Sequence, residues 1–396
     1  MSETIPAGSP SSGVKEGEHR SFRQSMPICE KWVYFDHAAV GPLPGPTADV
    51  IRTWCQQATE EGDTVWPNWH RGLNECRKTA ARIINADSEE IALVSSTTHG
   101  IGLVAEGLPW QAGDNVVTLA NEFPSNLYPW MNLASKGVET RRVAPDPDGR
   151  PNLDRMLEAI DSRTRLVSIS WIGFASGFRI DLAKWVDAVH QRGALFFLDA
   201  IQGIGVFPLD VKKIPVDFLA ADGHKWMLGP EGAGIFYMRN EHLSLLRPVG
   251  IGWNSVAHCF DFDKIELDFK PAAGRYEGGT MNNVGFLALG SSLELLEQHG
   301  LTANTSAIAD QIIAVGDYAV ARLMELGCEI ASIREAGHQS GIISFRFPNR
   351  DHNAVRDACM AAGIVLSHRN GCLRISPHAY NNEADVDRLI ACLKQQ

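Results

Sequence analysis

Apolar positions follow two rhythms along the chain. Between about residues 90 and 240, short and nearly unbroken apolar runs alternate with stretches in which apolar residues recur every three or four positions. EIALVSS, DNVVTLA, TRLVSIS, ALFFLD, FLAADG and AGIFYMR read as strands, and THGIGLVAEGL, SNLYPWMNLASKG, NLDRMLEAID and DLAKWVDAVHQRG as helices. Leu153, Met156, Leu157 and Ile160 share one helical face, as do Leu182, Trp185, Val186 and Val189, and Gly137 and Gly193 close their helices. ALFFLD is apolar throughout, which fits a strand covered by helices on both faces. Such alternation implies a mainly parallel sheet with ligands held at the carboxyl ends of its strands.

After about residue 290 the pattern changes. VGFLALGSSLELLEQHG and TSAIADQIIAVGDYAVARLMELG predict helices, while SGIISFRFP and GCLRISPHAY predict strands of a smaller α+β unit. The expected organisation is a disordered tail over 1–20, a segment over 21–45 packing on the small domain, a large domain over 46–290 and a small domain over 291–396. The tail expectation rests on its Ser, Gly, Pro and Glu bias.

Composition narrows the function classes. With 396 residues, 44% of them hydrophobic, the chain can bury two domains, and its net charge of -11 disfavours a nucleic-acid surface, which needs clustered cations. No run reaches the apolar length of a membrane span, and the first 20 residues lack a signal peptide's apolar core. The eight cysteines are scattered without CxxC or zinc spacing, so they read as reduced thiols in a cytoplasmic protein.

Candidate chemistry falls at strand ends. Asp199 closes ALFFLD, Gln202 lies just beyond it, and His224 and Lys225 stand together in ADGHKWMLGPEGAG. Thr97 and Thr98 open a helix, where exposed N–H groups favour an anion such as phosphate, although either could be a plain helix cap. An acid closing an apolar strand needs a partner. A pyridine-based electron sink needs a carboxylate at its ring nitrogen, a phosphate anchor and a lysine for the Schiff base, and Asp199, Thr98 and Lys225 supply these three parts. The implied cofactor is pyridoxal 5'-phosphate.

Seven blocks in order, YFDHAAVGPLP, SSTTHGIGLVAEGL, NEFPSNLYPW, FLDAIQGIGVFPLDV, ADGHKWMLGPEGAGIFY, YEGGTMNN and LRISPHAYNNEADVDRL, resemble the class V aminotransferases of the aspartate aminotransferase fold. That family includes cysteine desulfurases, kynureninase and isopenicillin N epimerase. The resemblance implies a fold type I α/β large domain with a mainly parallel seven-stranded sheet, plus a smaller α+β C-terminal domain. It implies Lys225 as the catalytic Schiff-base lysine with His224 beside it, Asp199 at the pyridine nitrogen and Gln202 near the ring hydroxyl. Thr98 is expected to bind phosphate, with Thr97, His99 and Phe123 also in the cofactor site. Thr280 is expected to reach the phosphate of the other subunit in a homodimer, and Arg374 to hold the α-carboxylate of an amino-acid substrate. His37, Ser125, Asn126, Trp171 and His368 are further pocket candidates.

Departures from the family pattern are informative. Phe123 stands where desulfurases stack a histidine, Trp171 stands where they carry an asparagine, and Asp222 replaces a phosphate-binding serine. Asp222 is expected to point away from the phosphate, since an ionised carboxylate cannot donate to it. GIVLSHRNGCLRIS is too short for the desulfurase loop and its nucleophilic cysteine, and Cys372 reads as a buried strand residue. The short form resembles the isopenicillin N epimerase-like branch most. Epimerisation, transamination and elimination all remain open, the last as a C–S or C–Se lyase lacking the loop cysteine. A rival dinucleotide reading rests on G-x-G-x-x-A in HGIGLVAEG, with Glu122 twenty residues past Gly102 as the ribose acid of an NAD(P)-dependent oxidoreductase. A third reading keeps the fold as a pyridoxal-binding module without catalysis.

Overall fold

The computed structural model describes residues 16–396. Helix α1 (Glu16–Gln24) begins inside the stretch expected to be tail, and the remainder of that stretch lies outside the described residues. Strand β1 (Val33–Tyr34) and helices α2 (Gly45–Glu60) and α3 (Trp66–Ile84) precede the main sheet. There follow β2 (Ile91–Val94), α4 (Thr97–Gly107), β3 (Asn115–Leu119), α5 (Tyr128–Asn132), β4 (Glu139–Val143), α6 (Leu153–Glu158), β5 (Thr164–Ser170), α7 (Leu182–Gln191), β6 (Leu195–Asp199), β7 (Phe218–Asp222) and β8 (Gly234–Met238). The chain ends with α8 (Asn283–Gln298), α9 (Ala307–Glu325), β9 (Glu329–Ile330), β10 (Ile343–Arg346), α10 (His352–Ala361), β11 (Ile364–Val365), β12 (Ser367–Arg369), β13 (Cys372–Ile375) and α11 (Glu383–Leu393).

Seven strands form one sheet in the order β2-β8-β7-β6-β5-β3-β4. Strand β8 runs antiparallel to both neighbours, and the other pairs are parallel. The unbroken apolar runs have a direct cause here: along β6, Phe196 and Leu198 enter one buried cluster while Phe197 enters the cluster on the opposite face. Strand β7 splits the same way, with Leu219 and Ala221 on one side and Phe218 and Ala220 on the other. A second, antiparallel sheet in the order β12-β13-β10-β9 forms the smaller unit.

SNLYPWMNLASKG is not the single helix its pattern suggests. A 3₁₀ turn at Pro124–Asn126, the five-residue α5 and a second 3₁₀ turn at Leu133–Lys136 replace it, ending at Gly137 with φ 77°. Pro129 has no N–H to donate to an upstream carbonyl, so it is tolerated in the first turn of α5 and not in mid-helix. The expected domain boundary at 290 falls inside α8, which is continuous and packs on the first core. Ser292 exchanges a 2.7 Å hydrogen bond with Thr47 of α2, and Leu289, Leu293 and Leu296 share a cluster with the large sheet. The segment before residue 46 touches both cores: β1 pairs in parallel with β11 and buries Val33 and Phe35 in the small cluster, while Phe22, Met26 and Ala38 belong to the large one. Among the described residues, no helix is long and apolar enough to cross a membrane.

Candidate active site

The carboxyl ends of β5, β6 and β7 open onto one cavity of about 690 Å³, closed on its other sides by the N-terminus of α4, residues 38–40 and the β12–β13 hairpin. Parallel register aligns the strand ends, with Ser170 opposite Asp199 and Asp199 opposite Ala220. Lys225 follows β7 in a turn that the N-terminal segment presses against. Gly41 donates its N–H to the His224 carbonyl at 2.6 Å, and a Cβ on Gly41 would lie 2.3 Å from the Lys225 carbonyl oxygen. Glycine is required there by that close approach.

Asp199 and Lys225 share the cavity. Asp199 is 3% exposed, and burial pushes its carboxyl up to about 6, against the pull of the Ile201 N–H at 3.2 Å and of Lys225. Burial pushes the Lys225 ammonium down to about 8; Asp199 opposes this shift and Arg374 adds to it. Its Nζ lies 5.8 Å from the centroid of the Phe123 ring, which is itself edge-on to Phe174 at 5.4 Å.

The opposite wall is the start of α4. Ser96, not a threonine, is the N-cap: its hydroxyl accepts the His99 N–H at 3.1 Å. The first-turn N–H groups of Thr97 and Thr98 have no helical acceptor, and Thr98 lines the cavity. The Thr97 hydroxyl accepts the Asp222 N–H at 2.9 Å and so ties the helix to the end of β7. The Asp222 carboxylate turns towards His224, with Oδ2 3.1 Å from Nδ1, a charge contact without hydrogen-bond alignment that leaves Oδ1 buried and unpartnered.

Arg374 comes from β13 and is 2% exposed. Its Nε donates to Ser367 Oγ at 3.1 Å, one Nη to the Phe174 carbonyl at 2.9 Å and the other to Asp36 Oδ1 at 3.1 Å. Three of five N–H bonds are therefore spent on fixing the fork, and two remain for a ligand. Burial lowers the Arg374 pKa, and Asp36 opposes the fall.

Of the residues expected in the site, some line this cavity and others do not. Lys225, His224, Asp199, Gln202, Thr97, Thr98, Phe123, Ser125 and Arg374 line the cavity. Gln202 is anchored through Trp226 Nε1, which donates to its oxygen at 2.7 Å, and through its own donation to Ala38 O at 3.1 Å. His37, Asn126 and Trp171 are core residues and do not line it. His37 sits between Ser376 O at 2.9 Å and the Tyr380 hydroxyl at 2.7 Å. Asn126 accepts from Ser168 Oγ at 2.6 Å and Trp130 Nε1 at 3.1 Å, and Trp171 packs over Gly203. His99 is turned to Ser95, and His368 to Asn353, away from the cavity. Thr280 lines a separate cavity of about 450 Å³ beside Trp66, Arg77 and Trp253.

The dinucleotide pattern also dissolves. Gly100 and Gly102 lie within α4 rather than in the turn before it, where a phosphate-cradling fingerprint needs them, and Gly100 serves close packing, since a Cβ there would meet Ala220 Cβ at 2.6 Å. Glu122 is buried, accepts the Ser170 N–H at 2.7 Å and pairs with the Ser170 hydroxyl. Burial pushes its carboxyl up to about 7; Ser170 and Asn126 oppose the rise and Asp199 adds to it. A folded-state value above the unfolded one favours the protonated fold, so this contribution is full below the unfolded value and is lost as the pH rises through about 7. Glu122→Gln, which mimics the protonated acid, should therefore raise the melting temperature at pH 8 and leave it nearly unchanged at pH 5. An equal gain at both pH values in thermal melts would contradict this. Sequence reasoning missed Ser96, Ser170, Phe174 and Arg369 as cavity residues; the strand-end position of Ser170 was the available signal.

The family described as aminotransferase class-V matches residues 33–389 of the chain. A probable cysteine desulfurase of Methanothermobacter thermautotrophicus is 30% identical, over 94% of this chain and 96% of its own length. The apo cysteine desulfurase of Thermococcus onnurineus superposes with a TM-score of 0.85 at 25% identity, covering 95% of this chain and 97% of that one. The cystine C-S lyase C-DES, solved with its reaction product cysteine persulfide, shares the fold at a TM-score of 0.86 and 22% identity, covering 93% of this chain and 98% of its own.

Proposed function

The chain belongs to the aminotransferase class-V family, and from that membership we propose that it is a pyridoxal 5'-phosphate enzyme acting at the α-carbon of an amino acid. The observation that carries this reading is one cavity holding a half-buried amine at about 8, a buried carboxylate and a fixed guanidinium with two free N–H groups. The residues fit the cofactor. Asp199 takes one hydrogen bond, on Oδ1, and leaves Oδ2 for a ring N–H, while Thr98 and the first turn of α4 offer donors to a phosphate. When bound, the cofactor supplies an electron sink for the carbanion at the substrate α-carbon.

The chain's own residues supply the rest. Arg374 holds the α-carboxylate and orients the α-carbon, Phe123 and Phe174 exclude water from one side, and Asp199 retains the proton at the ring nitrogen. Lys225 attaches the cofactor and moves the α-proton, work suited to an amine that is a free base in an appreciable fraction of molecules at neutral pH. Thr280, exposed and remote from its own chain's cavity, is read as the contribution to the partner's phosphate in a homodimer.

The first reading is epimerase or aminotransferase chemistry; C–S or C–Se elimination is the second, favoured by the names of the relatives. Neither reading routes sulfur through Cys372. Asn370 and Gly371, with φ 49° and 72°, close β12 onto β13 in a two-residue hairpin turn, so no long loop is present there. Cys372 is buried in β13, and among the described residues no cysteine lines the cavity. The test loads the purified protein with pyridoxal 5'-phosphate and follows keto acid, sulfide and α-proton exchange across an amino-acid panel. Exchange or keto acid without sulfide supports the first reading, and sulfide from cysteine or cystine without a thiol acceptor supports the second. A protein that stays colourless with the cofactor sinks both.

A further inference from the structure

Two of the eight cysteines meet in the core of the smaller unit, and nothing in the α-carbon reading uses them. Helix α10 carries Cys359 and α11 carries Cys392, with their Sγ atoms 3.8 Å apart. That is van der Waals contact between sulfurs, and a shift of about 1.8 Å separates it from the ~2.05 Å of a disulfide bond. Both thiols lie in the apolar cluster that holds Val355 of α10 and Leu389 and Leu393 of α11, so the two helices are already packed where a bond would join them.

The two thiols differ in access. Cys359 is fully buried, and burial, with Cys392 adding to it, pushes its thiol above the ordinary value. A thiol held neutral in this way is a poor first nucleophile. Cys392 is 8% exposed and sits in the last turn of α11, where helices open locally at far less cost than global unfolding. Its contact with the Ala358 carbonyl is long, at 4.0 Å, and leaves the sulfur free to turn. A reagent the size of water can therefore reach Cys392 first, with Cys359 waiting behind it.

We propose that Cys359 and Cys392 are a reversible modification site, at which hydrogen peroxide forms a disulfide that staples α10 to α11 and stabilises the unit carrying Arg374. The Cys392 thiolate, its proton given to water, attacks one peroxide oxygen. The O–O bond breaks, Cys392 becomes a sulfenic acid, and the departing hydroxide takes up a proton to leave as water. Cys359 then attacks the Cys392 sulfur, the S–O bond breaks, and the hydroxide released takes the Cys359 proton to form a second water. The two sulfurs lose two electrons and the peroxide gains them. A small dithiol reverses the bond by exchange. The linked residues are 33 positions apart, and the loop between them contains β11, β12 and β13, so the bond restricts the unfolded chain around Arg374.

The test treats the full chain, loaded with pyridoxal 5'-phosphate, with hydrogen peroxide, then alkylates and digests it and weighs its peptides with and without a dithiol. The expected product is a peptide pair joining Cys359 to Cys392, lighter by two hydrogens and separated by the dithiol. The oxidised protein should melt about 5 °C above the reduced one. Cys359→Ala and Cys392→Ala should each lose the link and the shift, while Cys55→Ala, which removes an exposed thiol, should lose neither. Oxidation of Cys392 that stops at a sulfenic or sulfinic acid overturns the inference. So does a link from either residue to Cys328 of the same core, or a link that leaves the melting temperature unchanged. If an alanine variant fails to fold, the peptides of the unsubstituted chain still decide. The outcome does not depend on which reaction the cavity performs.

Discussion

Lys225→Ala is expected to remove the visible absorption of the protein loaded with pyridoxal 5'-phosphate and to lower turnover by about 10²- to 10⁴-fold, the usual contribution of a positioned proton carrier. The physical reason is the desolvated position of the amine. With its pKa at about 8, roughly one molecule in eleven presents a free base at pH 7, against roughly one in three thousand for a lysine at its ordinary value. Cofactor attachment by the unloaded protein should accordingly become faster as the pH rises through about 8, and the variant should show no such attachment at any pH. Stability should not fall with activity. A cation in a half-buried site costs desolvation energy, so its removal should leave the melting temperature unchanged or raise it. A variant that keeps both the band and the activity would remove Lys225 from the chemistry; one that loses activity only by unfolding would show it in the melt.

Arg374→Ala should damage binding and folding together. Removing the fork leaves the α-carboxylate unheld, with a rise in apparent Kd or KM of about 100-fold for charge-assisted hydrogen bonds. It also leaves Asp36, whose side chain is 15% exposed, without its charge partner and with only the Ser367 hydroxyl at 2.9 Å, and removing one member of a buried pair costs about 3 kcal/mol. Arg374→Lys separates the two effects. It restores a positive charge to Asp36 and so recovers stability, but an ammonium cannot bond Ser367, Phe174, Asp36 and a carboxylate with the geometry of a planar fork. Urea unfolding and substrate titration of the two variants check this. Equal substrate affinity in Arg374→Lys and the unsubstituted enzyme would show that Arg374 orients no carboxylate.

Local rules and residue order account for much of this protein. The runs of β6 and β7 are apolar on both faces because helices cover both sides, and that implies a mainly parallel sheet with Asp199 and Lys225 at the carboxyl ends of its central strands. The dipeptide Asn370–Gly371 prescribes a tight hairpin, and with it the absence of a long loop before Arg374. These features depend on neighbours in the chain, so the chain order reveals them.

The rest depends on contacts between distant residues. His37, Asn126 and Trp171 are polar or amphipathic residues near the right motifs, yet their partners are Ser376 and Tyr380, Ser168 and Trp130, and Gly203, supplied only when remote segments meet in the core. That Asp222 turns away from a phosphate is legible in its charge, but only the turn after β7 supplies His224 as the group it faces. Arg369 has no assignment from the sequence, because only the β12–β13 register turns it to the side of Arg374. Sequence by itself determined which groups this protein brings to its strand ends; tertiary structure decided which of them face the cavity. The direction of a side chain there is set by register and packing between segments far apart in the chain, 339 residues in the case of His37 and Ser376, and not by its sequence neighbours.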